Sequence, residues 1–195
     1  MKLLLATTSQ GKLREQRAAL AGLEVELDTL ESWKKIDPPD EPGPSFLDNA
    51  IVKALHYHRV TGLAAIGEDS GLIIDALGGE PGIHSARWLG HDTSYAVKNA
   101  RVLELLSSVG EDARSARYVS AVALAEDDAI VFTVEGICEG RIAREPKGES
   151  GFGYDPIFFY PPLNGTMAEL SAEQKNQVSH RGRAMAELRR FLEAR

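Results

Sequence analysis

Leu63–Ile74 reads LAAIGEDSGLII, an apolar run broken by Gly67-Glu68-Asp69-Ser70-Gly71 and then resumed. Its first half, Leu63–Ile66, has the length and composition of a buried strand. Two adjacent acids at the C-terminal end of such a strand are costly unless something uses their charge. In open α/β sheets, ligands sit at strand ends of this kind. Hard oxygen donors there suit Mg2+, which takes one or two carboxylates together with substrate phosphates. An acidic turn is the competing reading, because Asp-Ser-Gly is good turn chemistry.

The neighbouring segments alternate in type. Lys2–Ala6 is a short apolar strand, Thr7–Gly11 a turn of small polar residues, and Lys12–Ala21 a helix. Leu23–Leu27 alternates apolar and acidic residues as a half-exposed strand does. Lys34–Pro44 holds four prolines and one glycine and reads as loop. Ser45 and Asp48 form a capping-box pattern that opens a helix with an apolar stripe at Phe46, Ala50, Ala54 and Tyr57. Beyond the opening stretch come a Gly/Pro loop over Gly78–Ser85 and a helix capped by Asp92 or Thr93 and running to Leu106. Tyr118–Ala125 and Ile130–Val134 flank Glu126–Ala129 as a hairpin. Gly148–Asp155 is a glycine-rich loop, Ile157–Tyr160 a strand, and helices start at Ser171 and at Ser179, the last reaching Leu192. Alternating helices and strands with one hairpin specify an α/β fold with a mixed sheet.

Composition limits the function classes. The 195 residues are 43% hydrophobic and 26% charged, the balance of a globular domain and not of a disordered chain. No apolar run reaches the length of a membrane span, and Leu3–Ala6 is too short for a signal-peptide core. The single cysteine, Cys138, rules out an intrachain disulfide and suits the cytoplasm. Twenty-two Lys and Arg against 29 Asp and Glu give a net charge of -7, which argues against nucleic-acid binding. A few local cations still permit a small anionic ligand.

Four further clusters carry possible chemistry. Thr7, Thr8, Ser9, Gln10 and Gly11 before a helix, with Lys12, make a physical anion site without the spacing of a P-loop. Glu41 precedes a helix on which Asn49 and Lys53, four apart, share a face. Phe152 between Gly151 and Gly153, followed by Tyr154 and Asp155, offers an accessible ring for stacking a base. Lys175 lies ahead of Ser179-His180-Arg181, which puts cations in the first turn of the last helix, where the macrodipole disfavours them. Each has a plain alternative: a solvated turn, a solvated helix face, aromatics folded into the core, a structural histidine.

Taken in order, the motifs EDSGL (Glu68–Leu72), PGIHSARW (Pro81–Trp88), GFGYDPIF (Gly151–Phe158), TMAEL (Thr166–Leu170) and SHRGRA (Ser179–Ala184) resemble the inosine/xanthosine triphosphate pyrophosphatase family over nearly the whole chain. The resemblance implies one domain over residues 1–195, an elongated mixed sheet with two lobes around a nucleotide cleft, and a homodimer. It implies hydrolysis of ITP, dITP and XTP to monophosphate and pyrophosphate with Mg2+ as cofactor. Glu41 and Asp69 fall on the magnesium ligands, and Asp69 also on the catalytic base. Thr7–Lys12 fall on the phosphate turn, Lys53 and Ser70 on substrate contacts, and Phe152–Asp155 on the stacking segment. Lys175, His180 and Arg181 fall on the base-recognition set. Gln10, Asp48 and Glu68 depart from the usual asparagine, glutamate and aspartate of that family. A nucleotide-binding regulator without turnover and a pyrophosphatase for other modified nucleotides are the alternatives.

Overall fold

The computed structural model describes residues 2–33 and 35–195, so Lys34, the first residue of the expected proline-rich loop, lies outside them. Among the described residues seven strands form one mixed sheet in the order β2-β1-β3-β4-β5-β6-β7. They are β1 (Lys2–Leu5), β2 (Glu26–Thr29), β3 (Ala64–Ile74), β4 (Ser115–Glu126), β5 (Ala129–Ile142), β6 (Phe158–Tyr160) and β7 (Gly165–Thr166). Among the described residues five α-helices accompany them: α1 (Gln10–Leu20), α2 (Phe46–Thr61), α3 (Tyr95–Leu105), α4 (Ala172–Val178) and α5 (His180–Glu193). β1 pairs in parallel with β2 and with β3, whereas β6 is antiparallel to β5 and to β7. The chain forms two compact units. The first comprises residues 1–70, 120–136 and 180–195, and the second 71–119 and 137–179.

The first unit is built around Leu3, Leu5, Leu13, Leu20, Ile66, Val122, Leu124, Met185 and Leu188, all buried. Each such side chain contributes roughly 1.5–3 kcal/mol by leaving water. Two glycines set the spacing of its layers. A Cβ at Gly67 of β3 would run into the backbone of α2 at Ala50 and Ala54. A Cβ at Gly136 of β5 would likewise run into α5 at His180 and Ala184. Both helices therefore lie directly on the sheet backbone. The second unit is built around Leu72, Ile74, Val102, Leu106, Tyr118, Cys138, Ile142, Ile157 and Phe158.

Several sequence expectations need correction. Gly67–Gly71 is neither a turn nor a strand end, because β3 runs unbroken for 11 residues through Glu68, Asp69 and Ser70. The first helix starts at Gln10, so Gln10 and Gly11 belong to it, and Ser9 is its cap. β2 is displaced from Leu23–Leu27 to Glu26–Thr29, since Leu23 closes a turn on the Leu20 carbonyl. Ser94 caps α3, not Asp92 or Thr93. The β4–β5 loop narrows to Asp127 and Asp128, both at positive φ as a tight hairpin turn requires. β5 extends eight residues past the expected end at Val134. Ser179 is the extended residue that ends α4, directly before α5. The Ser45 cap and the stripe of α2 stand as read, with Phe46, Ala50, Ala54 and Tyr57 all buried.

Candidate active site

The site in the first unit starts from β3. Because Gly67 lets α2 rest on the strand, Asn49 and Lys53 on one face of α2 reach the next residues of β3. Lys53 Nζ lies 3.0 Å from Asp69 Oδ1, 2.9 Å from Glu41 Oε1 and 3.3 Å from the Glu68 carbonyl. Burial works against the Lys53 ammonium, but Asp69 and Glu41 outweigh it and hold the group above the ordinary lysine range. Asn49 Nδ2 donates to Asp69 Oδ2 at 3.3 Å, while its Oδ1 accepts from the Gly43 amide at 2.9 Å. One amide thus ties the proline-rich loop that carries Glu41 to the strand that carries Asp69. Two carboxylates converge on one cation position, with Asp69 only 6% exposed.

Glu68 faces a different set of partners. Its Oε2 accepts from Gln16 Nε2 at 2.5 Å. Its Oε1 accepts from Arg181 Nε at 2.8 Å and from Ser120 Oγ at 3.0 Å, and lies 3.8 Å from Lys12 Nζ. Burial alone would raise the Glu68 carboxyl, yet Arg181 and then Lys12 reverse that and bring it down to about 2. Arg181 also donates to Glu15 Oε2 at 2.5 Å and to Ser70 Oγ at 3.0 Å. Despite its burial, Glu68 and Glu15 hold the guanidinium above its ordinary value. Burial is the main force pushing the Lys12 ammonium down; Glu68 opposes it, and Arg181 and Lys53 add to it.

Next to these groups a cavity of about 460 Å³ opens. Thr7, Thr8, Gln10, Lys12, Glu41 and Lys53 line its polar side, and Trp33, Ile36 and Tyr57 an apolar wall. Thr7 Oγ1 accepts from the Ser9 amide at 3.2 Å, and Ser9 Oγ from the Lys12 amide at 3.5 Å. The turn thus delivers the start of α1 to the cavity, where the helix N-terminus and Lys12 favour an anion. Gln10 Nε2 donates to Glu31 at 3.2 Å.

The second unit carries the aromatic cluster. Asp155 is its pivot: Lys175 Nζ lies 2.5 Å from Oδ2, which also accepts the Phe152 amide at 2.8 Å. Lys175 Nζ stands 4.6 Å from the centre of the Phe152 ring, so a cation and a π-face are presented together. Tyr118 Oη donates to Asp155 Oδ1 at 3.4 Å, and Tyr154 Oη to the Ser85 carbonyl at 3.1 Å. Asn99 Nδ2 holds the Gly153 carbonyl at 3.2 Å. Gly151, at φ +77, leaves the space that Asp155 fills.

Residues 3–191 match the model of the Ham1 family. The chain belongs to the Ham1 family. The dITP/XTP pyrophosphatase of Desulforamulus reducens is 43% identical over 98% of this chain and 96% of that protein. The dITP/XTP pyrophosphatase of Pseudomonas aeruginosa is 45% identical over the same shares. A HAM1 protein from Coxiella burnetii, 39% identical, superposes over 100% of both chains with a TM-score of 0.91.

In this Ham1 chain the expected residues fall in both units. Thr7, Thr8, Ser9, Gln10, Gly11, Lys12, Glu41, Lys53, Asp69 and Ser70 all belong to the first, as do His180 and Arg181. Phe152, Gly153, Tyr154, Asp155 and Lys175 belong to the second. Lys175 is therefore grouped with Phe152 and Asp155, whereas Arg181 is grouped with acids of the first unit. Nothing in the sequence alone pairs Gln16 and Ser120 with Glu68, or Glu15 with Arg181. Gln16 alone left a signal, a polar residue at the helical spacing of Leu13 and Leu20. Among the described residues no helix is long and apolar enough to cross a membrane.

Proposed function

We propose that the chain hydrolyses the non-canonical purine triphosphates ITP, dITP and XTP to the monophosphate and pyrophosphate. The observation that carries this is the convergence of Glu41 and Asp69 on one cation position beside the α1 anion site. Membership of the Ham1 family and the names of its relatives support the choice of substrate.

The donor set suits Mg2+. Two carboxylates already hold a cation between them, in the form of the Lys53 ammonium. Among the described residues no group of three or more His, Cys, Asp and Glu could hold a metal ion. Few protein ligands and room for phosphate oxygens are what Mg2+ takes. Glu41 and Asp69 would hold it, and when bound it supplies positive charge to the phosphate oxygens.

The chain's own residues do the rest. The turn Thr7–Ser9, the start of α1 at Gln10 and Gly11, and Lys12 bind and orient the phosphate chain, and Lys53 neutralises charge that develops on it. Asp69 accepts the proton of the water that attacks the α-phosphorus. Asn49 fixes the carboxylate that does so. Phe152 stacks the base. Lys175 is a donor only and meets the C6 carbonyl of hypoxanthine or xanthine, whereas the adenine amino group would set donor against donor. The test is pyrophosphate release from ITP, dITP, XTP, GTP and ATP with and without Mg2+. Turnover of the first three, dependent on Mg2+, is expected; equal rates on all five, or turnover without metal, refutes the reading.

A further inference from the structure

Glu68 sits next to the proposed base and could be taken for a second metal ligand. The geometry points elsewhere. Both oxygens are taken by partners from three other elements: Gln16 and Lys12 of α1, Ser120 of β4 and Arg181 of α5. Its side chain is fully buried. Asp69, by contrast, shares its cation position with Glu41. Alternate side chains of a strand face opposite sides, so two consecutive acids on β3 cannot both face one point without distorting it.

We propose that Glu68 is a positioning residue: its carboxylate takes neither metal nor proton in the reaction, and instead fixes the Lys12 ammonium and the Arg181 guanidinium against β3. Lys12 is a flexible chain with three donors and no acceptor, and it needs an anchor to present its charge at one point. Arg181, held by Glu68 and Glu15, in turn donates to Ser70, the residue after Asp69. Glu68 thereby bears on the phosphate turn through one partner and on the neighbour of the proposed base through the other. This inference rests on the pyrophosphatase reading for its kinetic arm only.

The experiment compares wild type, Glu68→Gln, Lys12→Met, the double variant and Glu41→Gln. Turnover of ITP is followed across a Mg2+ titration, and binding of inorganic tripolyphosphate is measured calorimetrically without metal. Glu68→Gln is expected to lower kcat/KM by about 10²-fold, the size of a catalytic group displaced by an ångström. Its Mg2+ midpoint should stay at the wild-type value while that of Glu41→Gln rises. In the Lys12→Met background Glu68→Gln should add little, because the two act as a unit. Metal-free tripolyphosphate binding should weaken alike in Glu68→Gln and Lys12→Met. Gln16→Met, which frees Oε2 and changes no charge, is the milder variant if Glu68→Gln does not fold, and it should weaken tripolyphosphate binding too. A Mg2+ midpoint shifted as far as that of Glu41→Gln, losses that add in the double variant, or unchanged tripolyphosphate binding overturns the proposal. A wild-type chain that releases no pyrophosphate overturns the functional reading instead, and the binding arm still tests Glu68.

Discussion

Gly67→Ala tests whether the contact between α2 and β3 sets the catalytic geometry. The added methyl meets backbone, the Ala50 carbonyl and the Ala54 amide nitrogen, and its distance to Ala54 Cβ would be 3.0 Å. Backbone cannot rotate away as a side chain does, so α2 must lift or β3 must bend by on the order of 1 Å to restore ordinary contact. Overpacking of this kind costs roughly 1–3 kcal/mol of stability. For a chain of this length each kcal/mol lowers Tm by roughly 2–4 °C. The functional loss should be larger than the structural one. Lys53 and Asn49 ride on α2, and their 3.0 and 3.3 Å contacts to Asp69 are the ones displaced. A misplacement of about an ångström costs on the order of 10²-fold in kcat/KM. Thermal unfolding by circular dichroism and pyrophosphate release from ITP, measured on the same preparation, read the two effects separately. A variant with lowered Tm and wild-type kcat/KM would show that the helix can shift without disturbing Asp69, and the positional argument would fall.

Asp69→Asn should cut turnover by at least ~10²–10⁴-fold, the worth of a general base, with an unfolding midpoint near wild type; kcat close to wild type at saturating Mg2+ contradicts its role. Phe152→Ala should weaken every purine triphosphate by a similar ~1–3 kcal/mol, because stacking uses a face all bases share; competition binding that shows a change in purine preference with ITP affinity kept sinks the stacking role. Glu68 is held at about 2 in the fold, below the ordinary 4.5, so its contribution is present above pH 4.5 and is lost as pH falls toward 2. That displacement is worth roughly 3 kcal/mol at neutral pH. Urea unfolding of wild type and Glu68→Gln at pH 7, 5, 4 and 3 should show the gap between them narrowing with acid, and a gap constant over that range refutes the assignment.

What the sequence made legible was local. The Ser45 cap and the α2 stripe depend on residues three and four apart, and both stand. Asp69 stands out in the sequence as charge between apolar runs, Glu41 as an acid in the proline-rich loop before a helix, and Lys53 as the residue four along from Asn49 on one helix face; they meet in the structure. The misreading of Glu68–Gly71 has a long-range cause. A charge inside a strand looks forbidden until its partners are known, and Gln16, Ser120 and Arg181 lie 52, 52 and 113 residues away. No window of sequence contains them. The apolar run expected as β5 ends at Val134, but the strand continues: Glu135, Glu139 and Arg141 lie on its exposed face, alternating with buried Gly136, Cys138 and Ile142. A cation in the first turn of a helix needs an anion to answer it, and for Arg181 those anions are Glu68 and Glu15 of the protein itself.

The first unit is assembled from three separate stretches, the last being α5, and this bears on the order in which it forms during synthesis. By the time β3 leaves the ribosome Glu68 is present, but its guanidinium partner is still more than a hundred residues from being made. Met185 and Leu188, which close the core over Leu3 and Leu5, arrive with the same helix. A nascent chain lacking α5 therefore carries a buried acid without its guanidinium partner, on an apolar face still open to water, a state that cannot hold a finished native fold. The second unit, complete once Ser179 has emerged, contains no residue of α5. Folding of this chain on the ribosome should thus finish at its oldest end last.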